Sequence, residues 1–574
     1  MEKRWIYKPA SKKNDIEKMS QSLNIDELLA NLLIQRGIKT FEQARNFFRP
    51  DLDKLYDPFL MKDMNLAVER IEEALQKHQK MLVYGDYDVD GTTSVAMVYS
   101  FLKKIDTNVD YYIPDRYKEG YGISFEGIDY AHKHGVSLII ALDCGIKASK
   151  KVDYAKSRGI DFVICDHHTP EDKIPDAFAV LDPKRPDCNY PFKELSGCGV
   201  GFKMLQAYAR TKDLDPKILY EYLDLIAVSI ASDIVPIIDE NRILAYYGLR
   251  QLNDNPQPGL KAILDISGMN NRNHNLAIDD IVFRIGPRIN ATGRVESAKK
   301  SVELLLSKNH KEVERIANKV NNCNNERKSI DRHITQDALR MISTESTLNE
   351  KKATVLYNSK WHKGVVGIVA SRIIEIYYRP TIILTASNGM ATGSARSVPG
   401  FDIYHALEEC SDLLENFGGH RYAAGLTLDV NNIDKFKRRF EEIVEDTITE
   451  EQLIPHIEID SEIDFSQITR KFYNILRQFQ PFGPMNLAPV FSAKNVIIDG
   501  QPRLVGASKE HIKLSLKQVN DNQNVFPAIA FQQANYYYEI QKGKPFSICF
   551  AIEENNFRGN TTIQLNIKDI KFDS

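Results

Sequence analysis

Short apolar runs that alternate with helical stretches between residues 80 and 182 constrain the fold more than any other feature of this sequence. Strand alternating with helix is typical of a mainly parallel sheet with crossover helices. In such sheets the functional side chains gather at the carboxyl ends of the strands. Several runs end in Asp, so we expect carboxylates to cluster at that edge; the runs are KMLVYGD, VDYYIPD, SLIIALD, DFVICD and DAFAVLD.

The chain has 574 residues, which is too many for one hydrophobic core. We predict an α/β protein in which two α/β lobes are joined by a long helix around a cleft and followed by a C-terminal β-barrel. Five strand-like runs with little helix between them make an OB-fold the leading candidate for the barrel. The predicted regions are an N-terminal helical segment that packs on the first lobe (1–75), the first lobe (76–270), an arginine-rich motif with the connecting helix (271–345), the second lobe (346–450) and the barrel (451–574).

Composition excludes several classes of protein. Apolar residues make up 43% and charged residues 27%, and no run approaches the roughly 20 apolar residues of a membrane helix. The N-terminus lacks the apolar core of a signal peptide, and the seven cysteines form no C-x-x-C pair, so we expect a cytoplasmic protein with reduced thiols. Because the net charge is −3, a polyanionic partner would require positive charge that is concentrated in one channel.

The first acidic motif is GDYDVDG at residues 85–91, which follows a predicted strand and precedes a predicted helix. Its carboxylates belong to Asp86, Asp88 and Asp90, and they repel one another unless divalent cations neutralise them. The glycines allow the backbone to turn closely around such a site. Taken alone, the motif is equally typical of a solvated acidic turn.

Three later apolar segments also end in acidic residues. Asp143 closes the run SLIIA, Asp166 with His167 and His168 closes the run DFVI, and Asp233 follows the segment SIAS. Imidazole together with carboxylate suits Mn²⁺, whereas oxygen ligands alone suit Mg²⁺. The four motifs together place carboxylates and two imidazoles on one rim of one sheet. That set is sufficient to hold two divalent ions about 4 Å apart, as in two-metal hydrolysis of phosphate esters.

These four motifs, in this order, resemble the first lobe of the DHH phosphoesterase superfamily, which is named for the triplet found here at residues 166–168. RIGPRINATGR at 284–294 resembles the arginine-rich motif of the RecJ family, and GGHRYAAG at 418–425 resembles the G-G-H loop of the accessory DHHA1 domain. GSARS at 393–397 and QPFG at 480–483 are also similar to RecJ sequences. The resemblance covers nearly the whole chain, and it implies a DHH lobe, a DHHA1 lobe and an OB-fold in that order.

The resemblance implies a role for each acidic and imidazole side chain of the first lobe. Asp166 would orient neighbouring ligands, and His168 would contact the scissile phosphate. Tyr84 departs from the pattern of many smaller DHH phosphatases, which have a His ligand there; this argues against a pyrophosphatase and leaves the second ligand set open. The implied metal ligands are Asp90, Asp143, His167 and Asp233 for one ion, and Asp86 and Asp88, with Asp143 as a bridge, for the other.

The resemblance also implies contacts with DNA. A guanidinium pair and a hydroxyl suit phosphate oxygens, and Arg116, Ser394 and Arg396 would form a pocket for a 5′-phosphate. Interdomain salt bridges are an alternative role for the arginines of the 284–294 segment. Aromatic residues between 526 and 538 are candidates for stacking on bases, although half or more are expected in the barrel core. The implied DNA-binding residues are Arg116, Arg288, Asn290, Arg294, Ser394, Arg396, Gly419 and His420.

The function implied by the resemblance is a 5′→3′ exonuclease that uses two Mn²⁺ or Mg²⁺ ions to hydrolyse single-stranded DNA to 5′ mononucleotides in repair and recombination. A single-strand-binding protein and a helicase are partners expected from the family, and a monomer is the default. One alternative is a DHH-type oligonucleotide or cyclic-dinucleotide phosphodiesterase, but those proteins lack the terminal barrel. Another is a non-catalytic Cdc45-like scaffold, but such relatives have lost ligands that are all present here.

Overall fold

The computed structural model describes residues 2–269, 275–344, 351–387, 389–519, 521–557 and 560–572. The chain divides into two compact units, one built mainly from Tyr7–Asn321 and Glu458–Ser574 and the other built mainly from Asn322–Ile457. The predicted boundaries at 270/271 and 345/346 lie outside the described residues. Within the described ranges, no helix is long and apolar enough to cross a membrane. All seven cysteines lie in those ranges and are buried thiols.

Five parallel strands form the first sheet, and they coincide with the five apolar runs of the sequence. Their side chains alternate between two buried faces, so that Val83 and Ile140 face one core whereas Tyr84 and Ala141 face the other. The order across the sheet is Val109–Tyr112, Lys80–Gly85, Val136–Leu142, Asp161–Cys165 and Ala179–Leu181.

The strand order of this sheet reverses between Lys80–Gly85 and Val136–Leu142, because the chain adds its second strand on one side of the first and its third on the other. Such a reversal leaves a crevice beyond the carboxyl ends of the two strands, which is where open α/β sheets bind ligands. Asp86 and Asp143 directly follow these two strands. The topology therefore brings two of the acidic motifs to one crevice.

Helices cover both faces of the first sheet. Val89–Ile105 and Gly197–Thr211 contribute to one core, and Phe125–Lys133 and Ser149–Ser157 contribute to the other. The remaining helices of this region are Met64–Gln76, Leu223–Ser232, Asp239–Asp254, Pro258–Ile266, Ile278–Asp280, Gly286–Val295 and Lys299–Leu306, with a π turn at Ile281–Ile285.

The N-terminal helices Lys13–Leu23, Glu27–Gln35 and Phe41–Phe48 share a core with the C-terminal barrel. Apolar side chains join the core of the first sheet from Leu52 onward, and Leu55 is the first of them that is buried. The apolar faces of these helices fit against barrel side chains such as Phe472. Phe47 of the same segment also contacts Arg242 of the first lobe through its carbonyl and its ring, so residues 1–75 contact both the barrel and the first lobe.

Five strands of the C-terminal region close into a barrel, as the sequence predicted. The ring closes because Phe491–Ile498 pairs with Phe546–Phe557 on one side and with His511–Gln518 on the other. Two short helices, Arg470–Leu476 and Tyr537–Gln541, accompany it. The remaining strands of the region are Asn560–Phe572 and Asp521–Ala530 in the ring, and Ser461–Glu462 and Arg503–Val505 at its margin.

The segment that contains QPFG joins the barrel to the first lobe within the same unit. Arg242 is buried, and its guanidinium donates hydrogen bonds to the carbonyl oxygens of Phe47, Phe479 and Pro481, among others. The backbone N–H of Ile237 donates to the carbonyl of Pro484 at 2.8 Å. Because Ile237 lies four residues after Asp233, the QPFG segment packs directly beside the fourth acidic motif.

The second unit is built on a mixed five-stranded sheet. Its two faces are buried by different cores, with Ala395 and Leu426 on one side and Ile383 on the other. The predicted connecting helix is present as one continuous helix, His310–Thr344. The strand order is Asn416–His420, Ala423–Leu428, Met390–Arg396, Thr381–Ser387 and Thr354–Tyr357, with only the last two parallel. The other helices are Val366–Tyr377, Ile403–Glu408 and Ile433–Thr447, and a two-stranded sheet pairs Arg4–Tyr7 with His456–Ile459.

Candidate metal centre and nucleic-acid contacts

Asp90 is held in place by the first turn of the helix Gly197–Thr211. Its Oδ2 accepts a hydrogen bond from the N–H of Gly197 at 2.7 Å, and its Oδ1 accepts from the N–H of Cys198 at 2.8 Å. The hydroxyl of Ser229 donates to the same Oδ1 at 2.7 Å. A helix N-terminus favours negative charge, so these donors both orient the carboxylate and complement its charge.

One imidazole nitrogen faces three carboxylates at the crevice of the first sheet. The Nε2 of His167 lies 3.1 Å from Asp143 Oδ1, 3.6 Å from Asp233 Oδ2 and 3.7 Å from Asp90 Oδ2. Ligand atoms about 2.1 Å from one ion lie up to about 4 Å apart, so this spacing is compatible with a shared metal ion. The structure therefore brings together the four side chains that the sequence assigned to one ion.

Asp143 has an unusual backbone conformation at the centre of this cluster. Its φ of 58° lies in the left-handed region, which residues other than glycine rarely adopt and which is often found at functional sites. A Cβ at position 197 would lie only 2.8 Å from the Asp143 Cα, so Gly197 is required for the helix to approach so closely. Tight packing thus fixes the carboxylate that the sequence assigned as the bridge.

Asp86 and Asp88 belong to the same cluster of carboxylates, because Asp88 interacts with both Asp86 and Asp143. The Oδ1 of Asp86 accepts from the N–H of Gly122 at 3.0 Å. The Oδ2 atoms of Asp86 and Asp143 are buried and have no hydrogen-bond partner within the described ranges. Burial, together with repulsion from Asp88, raises the pKa of Asp86 well above its usual value, and burial beside other carboxylates does the same to the pKa of Asp143.

The donor set fits a pair of divalent cations. Buried carboxylate oxygens without partners are costly unless a cation or a proton neutralises them. Burial and repulsion from Asp90 raise the pKa of Asp233 to about 8, which is further evidence of crowded negative charge. Carboxylate with imidazole suits Mn²⁺, and the oxygen-rich set at Asp86 and Asp88 also suits Mg²⁺. The site therefore has the ligands for two such ions.

Asp166 is occupied by hydrogen bonds from its own loop. Its Oδ1 accepts from the backbone N–H of His167 at 2.7 Å and from the Nδ1 of His168 at 2.7 Å, and its Oδ2 accepts from the N–H of Ile146 at 2.9 Å. Although burial opposes it, the hydrogen bond from His168 and the imidazole charges hold the pKa of Asp166 below its usual value. These contacts are compatible with the orienting role that the family resemblance implies for Asp166.

His168 is held from both of its ring nitrogens. Nδ1 binds Asp166, and Nε2 lies 3.2 Å from the hydroxyl of Tyr121. Burial lowers the pKa of His168, but the hydrogen bond and charge of Asp166 outweigh burial and raise the pKa to about 9. A cationic imidazole suits contact with a phosphate. Its ring also lies close enough to Asp143 and His167 for the three to form a further possible metal group.

Tyr84 does not point into this cluster. Its buried hydroxyl donates to the carbonyl of Gly122 at 3.0 Å and accepts from the N–H of Ser124 at 3.1 Å. Gly122 is also the donor to Asp86, so Tyr84 supports the loop that positions a ligand. The structure thus gives a structural role to the tyrosine that replaces the usual histidine.

The arginine-rich helix Gly286–Val295 packs against two acidic motifs. A Cβ at Gly286 would lie 2.8 Å from the Ser232 hydroxyl, and one at Gly293 would lie 3.2 Å from the Tyr87 carbonyl. Because Ser232 precedes Asp233 and Tyr87 lies between two aspartates, the two glycines bring the helix directly against the metal-binding segments. The sequence motif is therefore a neighbour of the acidic site within one unit.

The side chains of this motif make local contacts. Arg288 donates to the side-chain oxygen of Asn321 at 3.2 Å and to the carbonyl of Arg284 at 2.7 Å, and Asn290 is half-buried on the same helix. The carbonyl of Arg294 accepts a hydrogen bond from the hydroxyl of Tyr117. Arg288 therefore contacts the long helix His310–Thr344, whereas Arg294 adjoins Tyr117.

Arg116 belongs to the same neighbourhood. Its guanidinium carbon lies 4.7 Å from the ring centroid of Tyr87, in the arrangement of a cation–π contact. Tyr87 separates Asp86 from Asp88 in the chain, so Arg116 adjoins the first acidic motif. Arg116, which the family resemblance assigns to a phosphate pocket, therefore lies next to the candidate metal ligands.

Ser394 and Arg396 lie in the second unit, on the strand Met390–Arg396. One Nη of Arg396 donates to the Ser394 hydroxyl at 2.7 Å, and burial lowers the pKa of this arginine. A Cβ at Gly367 would lie 3.0 Å from both side chains, so the first turn of the helix Val366–Tyr377 abuts them. A guanidinium, a hydroxyl and a helix N-terminus together form a suitable anion site.

The G-G-H loop lies on the same face of that sheet. Strand register aligns His420 with Ala423 and Arg396, and aligns Gly418 with Gly425 and Ser394. Gly419 has a φ of 149° and packs against the next strand, which requires a glycine. His420 is exposed at the strand end. The register therefore places Ser394, Arg396 and His420 on one face of the sheet, whereas Gly419 aligns with Ala424 on the other.

The aromatic candidates in the barrel divide as expected between core and surface. Phe526 is buried in the barrel core, and Tyr536 and Tyr537 pack against that core. Phe531 and Tyr538 are 52% and 76% exposed. Only these last two are positioned to stack on a base.

Three positioning features were not predicted from the sequence. Ser229 lies inside the fourth motif but carries no signal that separates it from other helix serines. The amides that bind Asp90 come from Gly197 and Cys198, and the preceding Ser196 caps their helix. Ser followed by glycines is a recognisable helix start, so that feature could have been found. Tyr121 has no sequence signal beyond its flanking glycines.

The domain families agree with this arrangement. Residues 80–230 match the DHH family, N-terminal domain, residues 350–446 match the DHHA1 domain, and residues 459–569 match the RecJ OB domain. A parallel sheet with clustered carboxylates and imidazoles at its crevice, followed by a DHHA1 domain, defines a DHH-type protein.

Comparison with individual proteins shows which family within this class the chain belongs to. The chain is 37% identical over 569 residues to the single-stranded-DNA-specific exonuclease RecJ of Bacillus subtilis (strain 168), covering 99% of this chain and 70% of the relative. It is 32% identical to the Escherichia coli (strain K12) RecJ, covering 95% of each. The crystal structure of RecJ in complex with Mn²⁺ from Thermus thermophilus superimposes with a TM-score of 0.84 at 25% identity, covering 100% of this chain and 80% of that one. The chain belongs to the RecJ family.

Proposed function

We propose that this protein is a two-metal-dependent exonuclease that digests single-stranded DNA from the 5′ end and releases 5′ mononucleotides. Membership of the RecJ family supports a metal-dependent exonuclease specific for single-stranded DNA. The observation that carries the proposal is the position of His167 Nε2, which faces Asp143, Asp233 and Asp90 within 3.7 Å. A scaffold without catalytic activity has no need of this arrangement.

The chain's own residues would position the reacting groups. Two bound divalent ions would lower the pKa of an attacking water and neutralise charge on the phosphate. Asp143 would belong to both ligand sets, and the Asp90 carboxylate would keep its orientation through the amides of Gly197 and Cys198. His168, held by Asp166 and Tyr121, would direct a positive charge toward the scissile phosphate.

Each unit has its own candidate groups for binding the phosphate at a 5′ end. Ser394, Arg396 and the helix start at Gly367 are the candidates in the second unit, because they combine a forked cation with a hydroxyl and a helix N-terminus. Arg116 is the candidate in the first unit. Arg288, Asn290 and Arg294 would contact backbone phosphates farther along the strand, and Gly419 with His420 would approach the strand closely.

The barrel favours a polymeric substrate over a dinucleotide. The closed five-stranded ring and its exposed Phe531 and Tyr538 would supply a stacking surface for single strands. Roles in repair and recombination, cytoplasmic location, cooperation with a single-strand-binding protein or a helicase, and a monomeric state stay predictions.

The test is digestion of a single-stranded DNA oligonucleotide labelled separately at each end, with Mn²⁺, beside a blunt duplex and a dinucleotide. We expect early release of labelled mononucleotide from the 5′ end and sparing of the duplex. Release from the 3′ end first would contradict the polarity. Cleavage of the dinucleotide alone would indicate an oligonucleotide-scavenging enzyme.

A pair of variants separates metal binding from folding. Asp143→Ala should abolish digestion, because it removes the shared ligand. Asp161→Asn is the matched control, since Asp161 lies at the amino end of a strand in the same sheet, where it binds Arg70. Equal loss of activity in both variants would indicate a defect of folding rather than of metal binding.

A further inference from the structure

The second unit contains a cavity of about 390 Å³ that none of the contacts described above uses. It is lined by the long helix His310–Thr344 on one side and by the segment that follows the strand Thr354–Tyr357 on the other. This volume lies within the range of roughly 300–1,000 Å³ that is typical of small-molecule sites. Its lining includes Ile330, His333, Asp337, Asn358, Trp361 and His362.

Trp361 lines this cavity with an unsatisfied donor. The residue is only 5% exposed, and its indole N–H has no hydrogen-bond acceptor in the described part of the chain. Buried polar groups in native proteins almost always have a partner, and each exception calls for an explanation. A ligand that brings an acceptor into the cavity would satisfy the indole.

The other lining groups fit a nucleobase. Ile330 supplies an apolar wall, and the imidazoles of His333 and His362 are planar groups on which a base can stack. The carboxylate of Asp337 lies 3.6 Å from His333 and 3.7 Å from Arg340, and the Asn358 side-chain oxygen accepts from the Lys360 N–H at 3.0 Å. The remaining lone pairs of Asp337 and the amide N–H groups of Asn358 offer the acceptors and donors that a base edge requires. A base has a flat face together with donors and acceptors on its rim, so this combination suits it better than it suits a purely anionic or purely apolar ligand.

The cavity is tied to the anion site at Arg396 by a short segment. The backbone N–H of Val365 donates to the carbonyl of His362 at 3.1 Å, so the chain turns directly from the cavity into the helix that begins at Val366. Gly367 of that helix abuts Ser394 and Arg396. Gly367 lies five positions after His362 in the chain, so their Cα atoms are at most about 18 Å apart.

We propose that this cavity binds one nucleotide through its base and sugar, near the 5′-phosphate site at Ser394 and Arg396. The inference rests on the proposed function in that the expected ligand is a nucleotide of the bound DNA strand. A free mononucleotide has the same base and sugar and is the alternative ligand. Binding here would add affinity for the terminal part of the strand without contributing to hydrolysis.

The chain has two tryptophans, so Trp361 can be observed alone after Trp5→Phe. In EDTA, which prevents cleavage, this variant is titrated with 5′-phosphorylated DNA dodecamers that carry one abasic residue at the first, second or third position. We expect the intact strand to change the Trp361 emission saturably, and one abasic position to weaken that response about 5- to 100-fold, as loss of one base contact does. Titration with dAMP is the second arm, and a saturable response to dAMP alone would assign the site to free nucleotides.

Cavity filling provides the matched control. Ser329→Phe places a ring in the cavity and should remove the emission response, whereas Lys328→Phe changes an adjacent helix residue that does not line it. No change in emission with either the dodecamer or dAMP would overturn the proposal, as would equal responses from all three abasic strands. Because the assay measures binding without cleavage, its result is independent of whether the strand is digested from the 5′ end.

Discussion

Replacement of Ser229 by alanine tests whether the groups behind the metal ligands matter for metal binding. The Ser229 hydroxyl donates to Asp90 Oδ1 at 2.7 Å and shares a hydrogen bond with Ser196. Ser229→Ala removes a charge-assisted donor without changing any ligand. We expect weaker Mn²⁺ binding, because the Asp90 carboxylate then reorients in the free protein and must be ordered again when the ion binds.

The size of the loss in Mn²⁺ affinity depends on how many hydrogen-bond donors to Asp90 remain. Loss of a group that orients a metal ligand typically weakens metal binding 10- to 100-fold. Asp90 keeps the amides of Gly197 and Cys198 and a longer contact of 3.4 Å with the Ser94 hydroxyl. The carboxylate therefore stays partly fixed, and the low end of the range applies: about tenfold, or about 1.4 kcal/mol.

The assay is isothermal titration of the purified protein with Mn²⁺. Ser232→Ala is the matched control, because Ser232 lies on the same helix, is adjacent to Asp233, and has a buried hydroxyl with no hydrogen-bond partner in the described ranges. We expect this control to bind Mn²⁺ as the parent protein does. Affinity of Ser229→Ala within twofold of the parent, or an equal loss in both variants, would refute the reasoning.

Three further perturbations have defined outcomes. Lys203→Met removes the ammonium that lies 3.1 Å from the buried Glu240 carboxylate. Urea unfolding should therefore show a free energy of unfolding that is lower by about 3–5 kcal/mol, and an unchanged midpoint would contradict this. Gly425→Ala places its Cβ in ordinary contact, 4.0 Å from the Gly393 carbonyl, on the face that carries Arg396, so stability should hold while the affinity for single-stranded DNA falls in an anisotropy titration. Gly393→Ala, whose Cβ would overlap a backbone carbonyl, should instead destabilise the fold. Saturation with Mn²⁺ at about 100 times its Kd should stabilise the protein by about 2.7 kcal/mol in a thermal melt, and Asp143→Asn should abolish the shift.

The first sheet could be predicted from the sequence because each of its strands is a short buried run with a clear end. The Asp residues at those ends could also be placed on one rim, since parallel strands share a carboxyl edge. Sequence spacing alone did not reveal that the strand order reverses between Lys80–Gly85 and Val136–Leu142, which is what brings Asp86 and Asp143 into one crevice.

Contacts between distant segments were less predictable. The amides of Gly197 and Cys198 reach Asp90 across more than 100 residues, and no local pattern indicates which carboxylate a helix start will meet. The N-terminal helices show the same limit, because amphipathic periodicity predicts an apolar face but does not identify its partner. In the structure that partner is the barrel core around Phe472, whereas apolar side chains from Leu52 onward join the core of the first sheet.

The most direct test of the central claim is anomalous diffraction at the manganese edge from crystals grown with Mn²⁺. We expect two manganese peaks about 4 Å apart in the crevice of the first sheet. One should be bound by Asp90, Asp143, His167 and Asp233, and the other by Asp86 and Asp88 together with Asp143. A single peak, or peaks away from these side chains, would contradict a two-metal centre.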